Sequence, residues 1–262
     1  MRGSVEIGML RALLERGIHP DLVVGTSIGA INGAMVAHDP TPEVIEPLTR
    51  AWASPEASAV YGDGFMTQAG RFIRTKTHLN SPEPLRRLLE RQLGEEASFE
   101  ALAVPLKVVA ASIERAAEHV FEAGPLVPAI LASASVPGLL PATEIDGEHY
   151  LDGGIVNSIP ISHAVDAGIR TIYVLQVGRI EQSLVAPRTP IETAKVAFEI
   201  ARRHRYAHDL ATLPDGVRLH VLPSGGELEG DDSLMSYRRM TTVQRRIDRA
   251  YEASAAYLEG VA

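Results

Sequence analysis

The chain predicts an α/β fold, a three-layer α/β/α sandwich around a mostly parallel central sheet. Three observations lead there. Short apolar runs at 22–24, 104–113, 171–177 and 217–222 alternate with stretches of helical spacing. The first run, Leu22-Val23-Val24, stops at Gly25-Thr26-Ser27-Ile28-Gly29, and a helical pattern begins at once. The 262 residues, 45% hydrophobic and 22% charged, are enough to bury a sizeable core.

Each element follows from its local pattern. Ile7, Leu10, Leu13 and Leu14 mark an opening amphipathic helix that Gly17 ends. Leu22 to Val24 supply a buried strand. After Ser27, Ile28, Ile31 and Met35 recur at helical spacing with small residues between them. Pro40 and Pro42 break the chain before a helix near 43–53 that carries Trp52. Residues 54–68 hold glycine, proline and serine and read as a loop or lid. Pro82 and Pro84 precede a helix through Leu93, which Gly94 closes. Residues 104–113 read as a strand, with 119–122 a shorter partner. Pro125 and Pro128 open a helix near 126–134, and 135–141 form an irregular loop. His149-Tyr150-Leu151 is a short strand ending in Asp152-Gly153-Gly154. A helix over 161–167, a strand over 171–177, a long helix near 190–212, a strand at 217–222 and a helix from about 235 to 259 complete the order. No linker divides the chain, so one domain over 1–262 is expected.

Composition excludes several classes. The net charge of -8 argues against a general affinity for nucleic acid or anionic membrane. There is no cysteine, hence no disulfide, thiolate metal site or cysteine nucleophile. No apolar run approaches the roughly 18 residues of a membrane span, and the N-terminus is not a secretory signal. A cytoplasmic protein is expected. No Gly-x-Gly-x-x-Gly follows a strand, no P-loop is present, and no oxygen-ligand loop implies calcium.

The junction at 25–29 carries chemistry. Gly-x-Ser-x-Gly between a strand and a helix is the form of a nucleophile elbow, which lifts a serine hydroxyl out of the backbone. Gly25 and Gly29 remove side chains where the chain doubles back. Ser27 at the tip is the candidate nucleophile. A serine hydroxyl needs a base. His220 alternates within a strand and reads as a sheet-face residue. His204 and His208 lie four apart, a metal-ligand spacing, but Arg202, Arg203 and Arg205 beside them favour a solvated basic face. No metal is expected. Asp152 stands at a strand end before two glycines, where a second loop can approach closely. Alone, Asp-Gly-Gly is an ordinary turn.

Three motifs occur in order: Gly25-Thr26-Ser27-Ile28-Gly29-Ala30; the proline-bearing stretch Ala132-Ser133-Ala134-Ser135-Val136-Pro137-Gly138-Leu139-Leu140-Pro141; and Asp152-Gly153-Gly154 with Asn157 and Pro160. Together they resemble a patatin-like phospholipase, from residue 1 to about 177. The resemblance implies a patatin-like core over 1–177, with 178–262 adding C-terminal helices and the last strand to the same domain. It also implies a Ser-Asp dyad without histidine, Ser27 as nucleophile and Asp152 as base, and no cofactor. A lipid or other carboxylic ester is the implied substrate, and peripheral membrane contact is compatible with it. Oligomeric state is left open.

The chain departs from the family at its start. The amide of Ile28 is expected to be one oxyanion donor. In patatin-like proteins the others come from a loop of the form Gly-Gly-Gly-x-Arg/Lys-Gly after a first strand. Arg2-Gly3 match its last two residues, while that strand and three glycines have no counterpart. The favoured expectation is a reading frame that starts upstream; the other is true loss. Losing one such donor costs ~100- to 1,000-fold in rate.

The leading expectation is a serine acyl hydrolase. Phe65, Met66, Leu139 and Leu140 are candidates to receive acyl chains, though ordinary core is the better reading of each. Arg238, Arg239, Arg245, Arg246 and Arg249 could face phosphate headgroups, with a solvated helix face the safer reading. The alternatives are an acyltransferase using the same elbow and a non-catalytic binding protein that keeps the fold.

Overall fold

Ile7, Met9, Leu13 and Leu14 give the first helix, α1 (Gly3–Leu14), a buried face. The computed structural model describes residues 3–60, 77–177, 183–226 and 240–261. After α1 the chain enters β1 (Val23–Thr26), turns at Ser27 and continues as α2 (Ile28–His38). A 3₁₀ turn over Pro42–Val44 leads into α3 (Ile45–Ala53).

Residues 55–60 depart from the expected loop. They form a short helix, α4 (Pro55–Val60). Ser54 accepts the Ala57 N–H at 3.1 Å and Pro55 opens the first turn, a capping pair that favours helix locally. The rest of the expected lid lies outside the described residues.

α5 (Glu83–Leu93) follows, then β2 (Leu106–Ser112), β3 (Ala117–Phe121), α6 (Leu126–Ser133), β4 (Thr143–Ile145) and β5 (Glu148–Asp152). α7 (Ile161–Asp166), β6 (Thr171–Val174), α8 (Pro190–Ala211), β7 (Arg218–Val221) and α9 (Met240–Val261) complete the order. β4 was not expected. It pairs with β5 through Asp146-Gly147, both at positive φ (51° and 81°), the two-residue hairpin that Asp-Gly favours.

The sheet is more mixed than the mostly parallel arrangement expected. β1 and β2 run parallel, whereas β2 pairs antiparallel with β3 and β5, and β4 with β5. β6 and β7 pair parallel as a separate two-stranded sheet. The reason is connection length. β2–β3 and β4–β5 are joined by short turns, and only antiparallel neighbours can be joined that way.

One consequence of register positions the site. β3 occupies one edge of β2 from Val108 to Ser112. β1 and β5 therefore share the opposite edge, β1 along Leu106–Val109 and β5 along Ala110–Ser112. They run head-on, so their carboxyl ends meet: Thr26 lies opposite Val109 and Asp152 opposite Ala110.

Apolar clusters cover the strands. The largest joins α2, α3, α5 and α6 to β2, with Ile31, Leu48, Leu85, Leu89, Val108 and Ile130 buried. A second lies where α9 packs along α1 (Met9, Leu13, Ala250, Leu258). A third joins α7, β6 and α8 (Ile161, Ile172, Val174, Tyr206). Among the described residues no helix is long and apolar enough to cross a membrane.

Candidate active site

The turn between β1 and α2 is strained at one residue. Ser27 has φ 55° and ψ -117°, outside the regions that a non-glycine residue ordinarily occupies. Its neighbours make this possible. A Cβ on Gly25 would stand 2.4 Å from the Gly29 carbonyl oxygen, so only glycine lets the turn close. The Ser27 carbonyl accepts the Ala30 N–H at 3.0 Å, starting α2. Ile28 is the first residue of that helix, so its N–H has no intrahelical partner and is free to serve as a donor at the tip.

Asp152 ends β5, 2% exposed. The Ser27 side chain stands beside its carboxylate, and Oδ1 accepts the Gly154 N–H at 2.7 Å. Burial pushes its pKa up to about 6, against the opposing pull of the Ser27 and Gly154 groups and of the Arg202 charge. Gly153 permits the approach of this loop to β2, because a Cβ there would lie 2.2 Å from the Val109 carbonyl oxygen. Gly154 packs against the ring of Phe198 on α8. Thr26 donates from Oγ1 to the Asn157 carbonyl at 2.8 Å, tying the elbow to the chain after Asp152.

Both residues open onto one cavity of about 600 Å³. It lies between β1 and β6, each an edge of its sheet, with α1 along one side. Leu10, Leu14, Val24, Ile172, Val174 and Phe198 give it an apolar wall, and Arg202 lines it near Asp152.

A second buried carboxyl faces this cavity. Glu6 accepts from Asn32 Nδ2 at 2.6 Å, and desolvation pushes its pKa up to about 7. Asn32 Nδ2 also donates to the Gly3 carbonyl at 3.1 Å, and Asn32 Oδ1 accepts from Trp52 Nε1 at 2.7 Å. The network fixes the start of α1 against α2, with Gly3 packed on Trp52 and Ile28.

A family model described as patatin-like phospholipase matches residues 1–165. The chain belongs to the patatin-like phospholipase family. Patatin-like phospholipase domain-containing protein ZK370.4 of Caenorhabditis elegans is 32% identical over 184 residues, 70% of this chain and 13% of that protein. Patatin-like phospholipase domain-containing protein 6 of Homo sapiens is 30% identical over the same shares of each chain. Lysophospholipase NTE1 of Pyricularia oryzae is 27% identical over 186 residues, 70% of this chain and 12% of that protein. The chain thus spans about an eighth of the length of these relatives.

In this member of the patatin-like family the other expected residues fall into three groups. Gly3, Gly25, Thr26, Ile28, Gly29, Gly153 and Gly154 gather around Ser27 and Asp152 as described, while Arg2 lies outside the described residues. The acyl-chain candidates separate from the site. Leu140 is 2% exposed within the main core, and neither it nor Leu139 lines the cavity; Phe65 and Met66 lie outside the described residues. The arginine face is divided. Arg245 is exposed, but Arg246 is buried on the packed side of α9, because a helix turning against α1 puts adjacent residues in opposite environments. Arg238 and Arg239 lie outside the described residues. His220 lies in β7 as expected, stacked on Tyr173 and bonded to the Tyr257 hydroxyl at 3.2 Å. Among the described residues no three His, Cys, Asp or Glu side chains converge as a metal site.

Sequence reasoning missed Glu6, Asn32 and Phe198, and it read Arg202 as part of a solvated basic face, whereas its side chain is largely buried and lines the cavity. Glu6 carried a signal: it precedes Leu10 by four and Leu13 by seven, which puts a carboxyl on the apolar face. Phe198 and Arg202 carried none, since their place depends on how α8 docks.

Proposed function

We propose that the chain is a serine acyl hydrolase of carboxylic esters, acting through Ser27 and Asp152. The observation that carries this is a buried Asp152 beside a strained Ser27, both lining one apolar cavity. Asp152 takes the hydroxyl proton as Ser27 attacks the ester carbonyl, and the tetrahedral oxyanion forms beside the Ile28 amide. Asp152 returns the proton to the departing alcohol, leaving an acyl-enzyme. It then accepts a proton from water, which attacks the acyl carbonyl, and the acid departs as Ser27 regains its proton. A carboxylate near 6 is a stronger base at neutral pH than one near 4, and is still mostly ionised there.

The apolar wall suits an acyl chain, and relatives named as a phospholipase domain protein and a lysophospholipase support a lipid ester as substrate. We also read residues 1–262 as one domain, because β6, α8 and α9 pack on or line the cavity built around α1 and β1. Turnover of a p-nitrophenyl ester tests the proposal. Ser27→Ala and Asp152→Asn each abolish it while circular dichroism stays unchanged; turnover that survives either substitution excludes the dyad.

A further inference from the structure

The geometry points to Ser133, at the end of α6, as a positioning residue that holds the strained elbow against β2. This rests on the proposed role of Ser27. The Ser133 hydroxyl accepts the Ser27 backbone N–H at 2.8 Å and donates to the Val109 carbonyl at 2.6 Å. The side chain is fully buried. One hydroxyl therefore uses both its donor and an acceptor lone pair to bridge the nucleophile's own backbone to the central strand.

The position is significant for three reasons. First, Ser27 sits at φ 55°, so its peptide relaxes unless something outside the turn restrains it. Second, Val109 stands opposite Thr26 in the register and against Gly153, so the anchored carbonyl lies between the ends of β1 and β5. Third, the same segment holds the other partner: the Asp152 N–H donates to the Ser135 carbonyl at 2.9 Å. Residues 133–135 thus grip Ser27 through a side chain and Asp152 through main chain. The separation of hydroxyl and carboxylate is set by one short piece of α6 and its following turn. Ser133 touches neither substrate nor the reacting oxygen. Its effect is on the orientation in which the hydroxyl meets Asp152 and the ester.

Replacing Ser133 with Ala leaves the Ser27 N–H and the Val109 carbonyl without this partner and frees the turn. A misplacement of about 1 Å at a reacting group costs on the order of 100-fold. The test compares Ser133→Ala and Ser133→Thr with Ser254→Ala, which removes an equally buried serine on α9 that donates to the Pro223 carbonyl. Two readouts are taken: kcat and KM for a p-nitrophenyl ester, and hydrogen exchange at the Ser27 amide. Ser133→Ala lowers kcat about 10- to 100-fold with KM within about threefold, and speeds Ser27 amide exchange beyond that of neighbouring α2 amides. Ser133→Thr restores part of both, and Ser254→Ala changes neither. Unchanged exchange at Ser27 in Ser133→Ala overturns the inference. So does a kcat loss shared equally by Ser254→Ala. Should wild-type turnover not depend on Ser27, the proposed function fails, and the exchange measurement alone decides whether Ser133 holds the turn.

Discussion

Asp152 and Glu6 share an environment that opposes their charge. Burial raises both, to about 6 and about 7, from ordinary values of 3.8 and 4.5. The folded chain therefore binds protons that the unfolded chain has released, and stability falls as pH rises through each interval. For Glu6 the interval from 4.5 to about 7, at about 1.4 kcal/mol per unit, amounts to the order of 3 kcal/mol. The sign for activity is opposite, since a base must be ionised. We expect kcat/KM to rise with pH along a limb near 6, where stability is falling. A limb near 4 would mean that Asp152 is solvated during turnover. Glu6→Gln keeps an acceptor for Asn32 and removes the titration, so its melting temperature declines less between pH 4.5 and 7 than that of the wild type. Thermal melts across that range check this; equal declines would place the pH sensitivity elsewhere. The sequence made Ser27 and Asp152 legible as the proposed pair because both carry glycine punctuation that only a turn or a close approach requires. Phe198 and Arg202 were hidden because their surroundings come from residues distant in the chain, whereas the signal that Glu6 carried on the apolar face of α1 went unread.

At the level of elements, helices and strands were legible and their pairing was not. Apolar periodicity located β1, α2, β2, α6 and α8 within a few residues. It carries no information about which strand lies beside which. The meeting of β1 and β5 on one edge of β2 is a property of register, invisible in either strand alone. The β4–β5 hairpin was readable through Asp146-Gly147 and was overlooked. The contact of α1 with α9 also depends on one small residue. A Cβ on Gly8 would lie 2.2 Å from the Ile247 carbonyl oxygen, a backbone atom that cannot swing aside. Gly8→Ala should destabilise the fold by about 1–3 kcal/mol through overpacking, although alanine is the better helix former. Gly260→Ala, on α9 with open space around it, should be neutral or slightly stabilising. Urea midpoints compare the two. A Gly8→Ala midpoint at or above the wild-type value would show that the helices are not in backbone contact in solution.

Across the whole molecule, the family match stops at residue 165, but the cavity does not. Its far wall comes from β6 and α8, including Ile172, Val174, Phe198 and Arg202. The match covers the segments that build the elbow and the Asp152 turn, and the remainder of the chain shapes the space a substrate enters. The net charge of -8 gives the chain little attraction for anionic surfaces. The most direct measurement is covalent labelling with a fluorophosphonate, which reports an activated serine without assuming a substrate. Mass spectrometry of digested wild-type protein should find one adduct, on Ser27, absent from Ser27→Ala and formed much more slowly in Asp152→Asn. An adduct on another serine, or an undiminished rate in Asp152→Asn, would contradict a nucleophile activated by Asp152.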